Sequence, residues 1–242
     1  MKQYEAVILA LELLGGQATL AQLYREALRV QGVKWGTKTP FASIRRIVQV
    51  RPEIFRVRPG LWALEAYRSK LSLARDETEE SGTRAEMDRS HSYYQGLLAS
   101  IGNLRGFSTY VPNQDKNKLC IQKSLGEIRT LHELPHFSYE AITRRAATVD
   151  VSWFNDRLLP HSLFEVEHST NILNSLVKFT ELQDFNARMV IVASPARGRE
   201  FLEKAGTRAF REITNRVRFY DYETLARDYE HEAMRDTAEF TI

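Results

Sequence analysis

Residues 146–170, AATVDVSWFNDRLLPHSLFEVEHST, restrict what this chain can fold into more than any other stretch. Apolar residues run almost unbroken from Val149 to Phe154 with Asp150 set among them, which predicts a buried strand. In SLFEVEHS the alternation is strict, with Phe164 and Val166 on one face and Leu163, Glu165 and Glu167 on the other. Glutamates two apart on one strand face sit roughly 7 Å from each other. A hairpin closing around Arg157 and Leu158 puts Asp150 nearly opposite Glu165, with Cβ atoms about 5 Å apart. The segment offers no lysine or arginine on that face. Three carboxylates so placed repel, and burying one unpaired costs several kcal/mol. Two readings remain open. Either this is an edge strand whose glutamates are solvated, or the site holds a divalent cation such as Mg²⁺, which takes its oxygen ligands from carboxylates, water and phosphates.

The segment resembles the PD-(D/E)XK nuclease core, in which an Asp on one strand precedes (D/E)-x-K on the next. The match runs through Asp150 and then Glu165-Val166-Glu167, with glutamate where that family usually has lysine. Restriction enzymes similar to BamHI also use E-x-E. The resemblance implies Asp150, Glu165 and Glu167 as metal ligands, Mg²⁺ as cofactor with Mn²⁺ as a substitute, and double-stranded DNA as substrate. The general base stays open between Glu167, the adjacent His168 and a neighbouring phosphate. Gln95, on an upstream helix, falls where relatives place a residue that supports the metal site.

The surrounding pattern follows the same plan. HSYYQGLLASIGNLRGF predicts a helix, FSTYVP a strand, TNILNSLVKFTELQDF an amphipathic helix, ARMVIVAS a buried strand and ARGREFLEKAGTRAFREIT a basic helix. VRFYDY and ETLARDYEHEAM complete it as a strand and a helix. The order helix, strand, strand, strand, helix, strand is the one the PD-(D/E)XK core uses, so the resemblance implies an α/β nuclease core with a mixed central sheet over residues 91–242. Lys116 and Lys118, in the NQDKNK loop, are candidate DNA contacts.

Residues 1–67 read differently. They carry ten Lys and Arg against five Asp and Glu, although the whole chain nets only +3, and a local excess of this sign points to a polyanionic partner. YEAVILALELL ends at Gly15-Gly16. Thr19 caps LAQLYREALRVQG, and Thr39-Pro40 opens FASIRRIVQV. Two short strands, IFRVR and LWALE, follow around Pro59-Gly60. Three helices and a hairpin is the winged helix-turn-helix plan, with the third helix in the major groove. WGTKTPFASIRRIVQ and PEIFRVRPGLWAL are similar to the HARE-HTH family, whose modules are proposed to read DNA, including modified DNA. Lys34, Lys38, Arg45, Arg46, Arg56 and Arg58 are the expected DNA contacts; docking to a protein is the alternative use of such a domain.

The expected class is therefore α+β: a winged helix at 1–67, a linker at 68–90, and a nuclease domain. The lone Cys120 excludes an internal disulfide and any zinc cluster built from cysteines. With no apolar run near 18 residues, a cytoplasmic protein away from the membrane is expected. Cutting both strands predicts a homodimer. Two further functions fit the same residues: an inactive nuclease-fold regulator that binds DNA, and a repair nuclease acting on branched or damaged DNA.

Overall fold

A computed structural model describes residues 1–36, 39–69, 84–168 and 171–239. The chain divides into two compact units, Met1–Glu77 with Ala226–Ile242, and Thr78–Leu225.

The first unit holds α1 (Gln3–Leu13), β1 (Gln17–Thr19), α2 (Leu20–Arg29), α3 (Pro40–Val50), β2 (Ile54–Arg58) and β3 (Leu61–Leu64). Thr19 starts α2 with a capping box: its hydroxyl accepts from the Gln22 N–H, and the Gln22 side chain accepts from the Thr19 N–H at 2.9 Å. Pro40 begins α3 as the first helical residue. Val7, Leu11, Leu23, Ile44 and Val48 interlock as one core, matching the apolar stripes of the three helices. The hairpin turns at Gly60, where φ is +77°, and carries a bulge between Arg56 and Arg58. The sequence did not announce β1, because three residues are too few to show alternation. It pairs antiparallel with β3 and completes a sheet of order β1-β3-β2.

The second unit runs through α4 (Arg84–Leu104), β4 (Ser108–Tyr110), β5 (Leu119–Cys120), β6 (Lys123–Ser124), α5 (Leu125–Ile128), α6 (Glu140–Ala146), β7 (Val151–Phe154) and β8 (Pro160–Glu167). It continues with α7 (Ile172–Glu181), β9 (Arg188–Ala193), α8 (Gly198–Ala205), β10 (Val217–Asp221) and the start of α9 (Tyr222–Glu239). Five strands form a mixed sheet of order β10-β9-β8-β7-β4, antiparallel from β4 to β8 and parallel from β8 to β10. Thus β8 is central. Helices α7 and α8 bring Leu176, Phe179 and Phe201 into one core with Met189 and Ile191 of β9. The α4 helix packs against β5 through Gly96 and against β4 and β7 through Gly102. A Cβ on Gly96 would lie 2.3 Å from Cys120 Sγ, and one on Gly102 would lie 2.5 Å from Thr109 and 2.6 Å from Trp153. Glycine lets this helix approach closely enough for its side chains to reach the strand ends.

Several expectations need correcting. The solvated edge-strand reading fails, because β8 has a neighbour on both sides and Glu165 and Glu167 are only 3% and 4% exposed. The basic helix expected over residues 196–214 stops at Ala205, and a separate 3-10 turn, Arg208–Phe210, follows Gly206. Gly206 is the C-cap of the helix, and a Cβ there would lie 3.0 Å from the Leu202 carbonyl. The helix expected from His91 starts seven residues earlier, at Arg84. From Ala226 on, α9 clusters with the first unit. Of the linker at 68–90, residues 70–83 lie outside the described residues.

Candidate active site

The β7–β8 hairpin closes as its sequence predicts, with Leu158 at φ +57° and the Asn155 side chain accepting from the Arg157 and Leu159 N–H groups. Val151 pairs with Phe164, so one further step of the register brings Asp150 level with Glu165. Asp150 lies just before β7, and its Oδ2 accepts from the Val166 N–H at 2.8 Å. That bond fastens the aspartate between the two glutamates.

The positive charge that the strands lack comes from α7. Asn171 caps this helix, its side chain accepting from Leu173 N–H, and turns it back across β8. Lys178 Nζ then donates to Glu165 Oε1 and Oε2 at 2.9 and 2.8 Å and to the Thr148 carbonyl at 2.9 Å. The Ser175 hydroxyl, one turn earlier, hydrogen-bonds Glu167 and lies 3.3 Å from Glu165. Even so, negative charge dominates. Burial first, then the Asp150 charge, push the Glu165 carboxyl up to about 8 against the pull of Lys178. Burial also raises Glu167, with the Ser175 hydrogen bond pulling the other way.

On the opposite side, α4 supplies His91 and Gln95, one helical turn apart. His91 Nε2 lies 3.4 Å from Asp150 Oδ1. Burial disfavours its charged form, but the Asp150 hydrogen bond and charge outweigh burial and leave its pKa raised. Gln95 is fully buried; its amide nitrogen donates to Asp115 Oδ2 at 3.1 Å and approaches the Asp150 carbonyl at 3.4 Å. Asp115 is buried as well, with Lys118 Nζ 2.7 Å from its Oδ1. His168 Nδ1 is 2.8 Å from the Tyr222 hydroxyl, which donates to the Glu167 carbonyl at 2.9 Å, and Tyr222 stacks flat on Tyr94.

The fold therefore gathers Asp150, Glu165, Glu167, His168 and Gln95 around the ends of β7 and β8. Lys118 sits beside Asp115, while Lys116 is exposed in the same loop. In the first unit Lys34, Arg46 and Arg56 are exposed and Arg58 is half-buried; Lys38 lies outside the described residues. Arg45 is not simply solvated: it is ion-paired with Glu230 of α9, which also accepts from the Tyr24 hydroxyl. The pair raises the Arg45 pKa, and burial followed by the Glu230 contact raises that of Tyr24. Sequence reasoning missed His91, Asp115, Ser175 and Lys178. Ser175 had a readable signal, because it lies beside the stripe of Ile172, Leu176 and Phe179, whereas Lys178 falls well round the helix from that stripe and reads as a surface charge.

Two buried glutamates and a half-buried aspartate thus meet at the strand ends of a mixed sheet. The comparisons narrow the class. Residues 72–240 match the family of the type II restriction enzyme NmeDI C-terminal domain, and the chain belongs to that family. Type II restriction enzyme NmeDI of Neisseria meningitidis serogroup C is 25% identical over 161 residues, which is 61% of this chain and 45% of that enzyme. The match thus spans under half the length of that curated relative. No solved structure gives a significant match. Among the described residues, no helix is long and apolar enough to cross a membrane.

Proposed function

We propose that the chain is a restriction-type endonuclease, hydrolysing phosphodiester bonds in double-stranded DNA with a PD-(D/E)XK-like centre in its second unit. The observation that carries this reading is the gathering of half-buried Asp150 with buried Glu165 and Glu167, in a family that includes a type II restriction enzyme. The residues fit a divalent cation. Three neighbouring carboxylates face one ammonium group, and the raised pKa values of both glutamates express that imbalance. Asp150 and Glu165 would hold Mg²⁺, or Mn²⁺ in its place, and the bound ion would polarise the scissile phosphate and acidify the attacking water. Lys178 fixes the Glu165 carboxylate in position. Glu167 orients the water or takes its proton, and His168, held by Tyr222, stands beside it. As water attacks phosphorus, the bond to the leaving sugar oxygen breaks and the proton passes to the base.

The first unit serves as a winged helix of HARE-HTH type, reading sequence or base modification. The three-helix core, the hairpin and the exposed Arg46 and Arg56 support this role. Arg45 must leave Glu230 before it can contact phosphate. Cutting both strands calls for a homodimer, and the cytoplasm is where such an enzyme meets its DNA.

Digestion of matched unmodified and cytosine-modified DNA with Mg²⁺ tests the reading. Asp150→Ala and Glu165→Ala should each reduce cleavage to background while DNA binding persists. Full cleavage by either variant removes the site assignment. Binding without cleavage by the wild type favours the inactive-regulator reading instead.

A further inference from the structure

His91, Asp115 and Asp150 offer ligand atoms that all lie within 4.8 Å of one another. They come from three separate places: the face of α4, the turn after β4 and the start of β7. Gln95 supplies an independent sign of a missing partner. It is fully buried, its amide group lies against both Asp115 and the Asp150 backbone, and its Oε1 accepts no hydrogen bond. A buried carbonyl oxygen without a partner is costly, and an amide oxygen is a good ligand for a divalent cation.

We propose that His91 Nε2, Asp115 and Asp150 form a second cation site selective for a first-row transition metal, with Mn²⁺ preferred over Mg²⁺, and that the Gln95 amide, whose Nε2 now faces both aspartates, turns over to bring Oε1 to the ion. It shares Asp150 with the glutamate side of the cluster, where Lys178 and Ser175 already engage Glu165 and Glu167. The imidazole sets the selectivity. Mg²⁺ holds to oxygen ligands and keeps its waters, whereas a ring nitrogen strengthens binding of the later divalent metals. Lys118 is the resident competitor, since its ammonium occupies Asp115 Oδ1 at 2.7 Å. The site's part in catalysis rests on the nuclease reading, but its existence can be measured by binding alone.

The test is Mn²⁺ binding to the full chain without DNA, followed by electron paramagnetic resonance, with Mg²⁺ as competitor and circular dichroism to verify folding. His91→Gln should weaken Mn²⁺ binding about tenfold or more and leave Mg²⁺ binding within about twofold. The near-isosteric Asp115→Asn should weaken both ions, and Lys118→Met should tighten Mn²⁺. Glu165→Gln should retain the His91-dependent part of Mn²⁺ binding. Unchanged Mn²⁺ affinity in folded His91→Gln and Asp115→Asn, or loss of the His91-dependent binding in Glu165→Gln, overturns the proposal. Cleavage is assayed separately. A wild type that binds Mn²⁺ through His91 but cuts no DNA refutes the nuclease reading and keeps the site; one that cuts DNA with no His91-dependent Mn²⁺ binding does the reverse.

Discussion

The two sides of the carboxylate cluster are balanced in opposite ways. On the α7 side, Glu165 and Glu167 face Lys178 and Ser175, so the protein supplies both an ammonium group and a hydroxyl donor. On the α4 side, Asp150 and Asp115 face His91, Lys118 and the amide of Gln95, whose oxygen has no partner. The comparison teaches that one side is held in place from within, while the other is arranged to receive something.

The strongest way to break this contrast is to remove the internal cation. Lys178→Met leaves Glu165 buried without its partner and should cost about 3 kcal/mol or more of folding stability at pH 9. The loss should shrink at pH 6, where Glu165 can take up a proton, as urea denaturation at the two pH values would show. A stability loss independent of pH would mean that Glu165 is not the group being compensated.

Next in size is the pH dependence that Glu165 itself imposes. Its folded pKa of about 8 lies above the ordinary carboxylate value, so between about 4.5 and 8 the folded state binds more protons than the unfolded chain. Stability should therefore fall as pH rises through that window, by at most about 1.4 kcal/mol per pH unit from this group. Glu165→Gln should flatten the slope, and an unchanged slope would assign it to other groups. The smallest effect is expected from Ser175→Ala, which takes one donor from a buried carboxylate and should cost about 1–3 kcal/mol at pH 9. A Ser175→Ala variant as stable as the wild type would show that the hydroxyl does not compensate Glu167, and the internal balance would rest on Lys178 alone.

Much of the fold was legible because local chemistry and tertiary structure agree. The Thr19 cap, the Pro40 start of α3 and the hairpin around Arg157 and Leu158 are all fixed by nearest neighbours. The alternation of β8 placed Glu165 and Glu167 on one face, but whether that face is wet depends on partners far along the chain. Lys178 arrives thirteen residues after Glu165, through a helix whose crossing direction no local signal records. Asp115 sits in a turn that meets α4 through Gln95, twenty residues earlier in the chain. The Arg45–Glu230 pair joins residues 185 apart, and alone each reads as an ordinary surface charge.

One feature of Lys178 bears on how a reaction could start. An ammonium group has three protons, and here all three have acceptors: two oxygens of Glu165 and the carbonyl of Thr148. A saturated donor has nothing left to offer a water molecule or a phosphate. In the proposed nuclease, Lys178 can join the chemistry only after Glu165 releases one oxygen, so arrival of the cation and the freeing of a proton donor become one exchange. The same count explains why arginine would be a poor replacement, since its flat fork cannot reach three acceptors spread around a tetrahedral nitrogen.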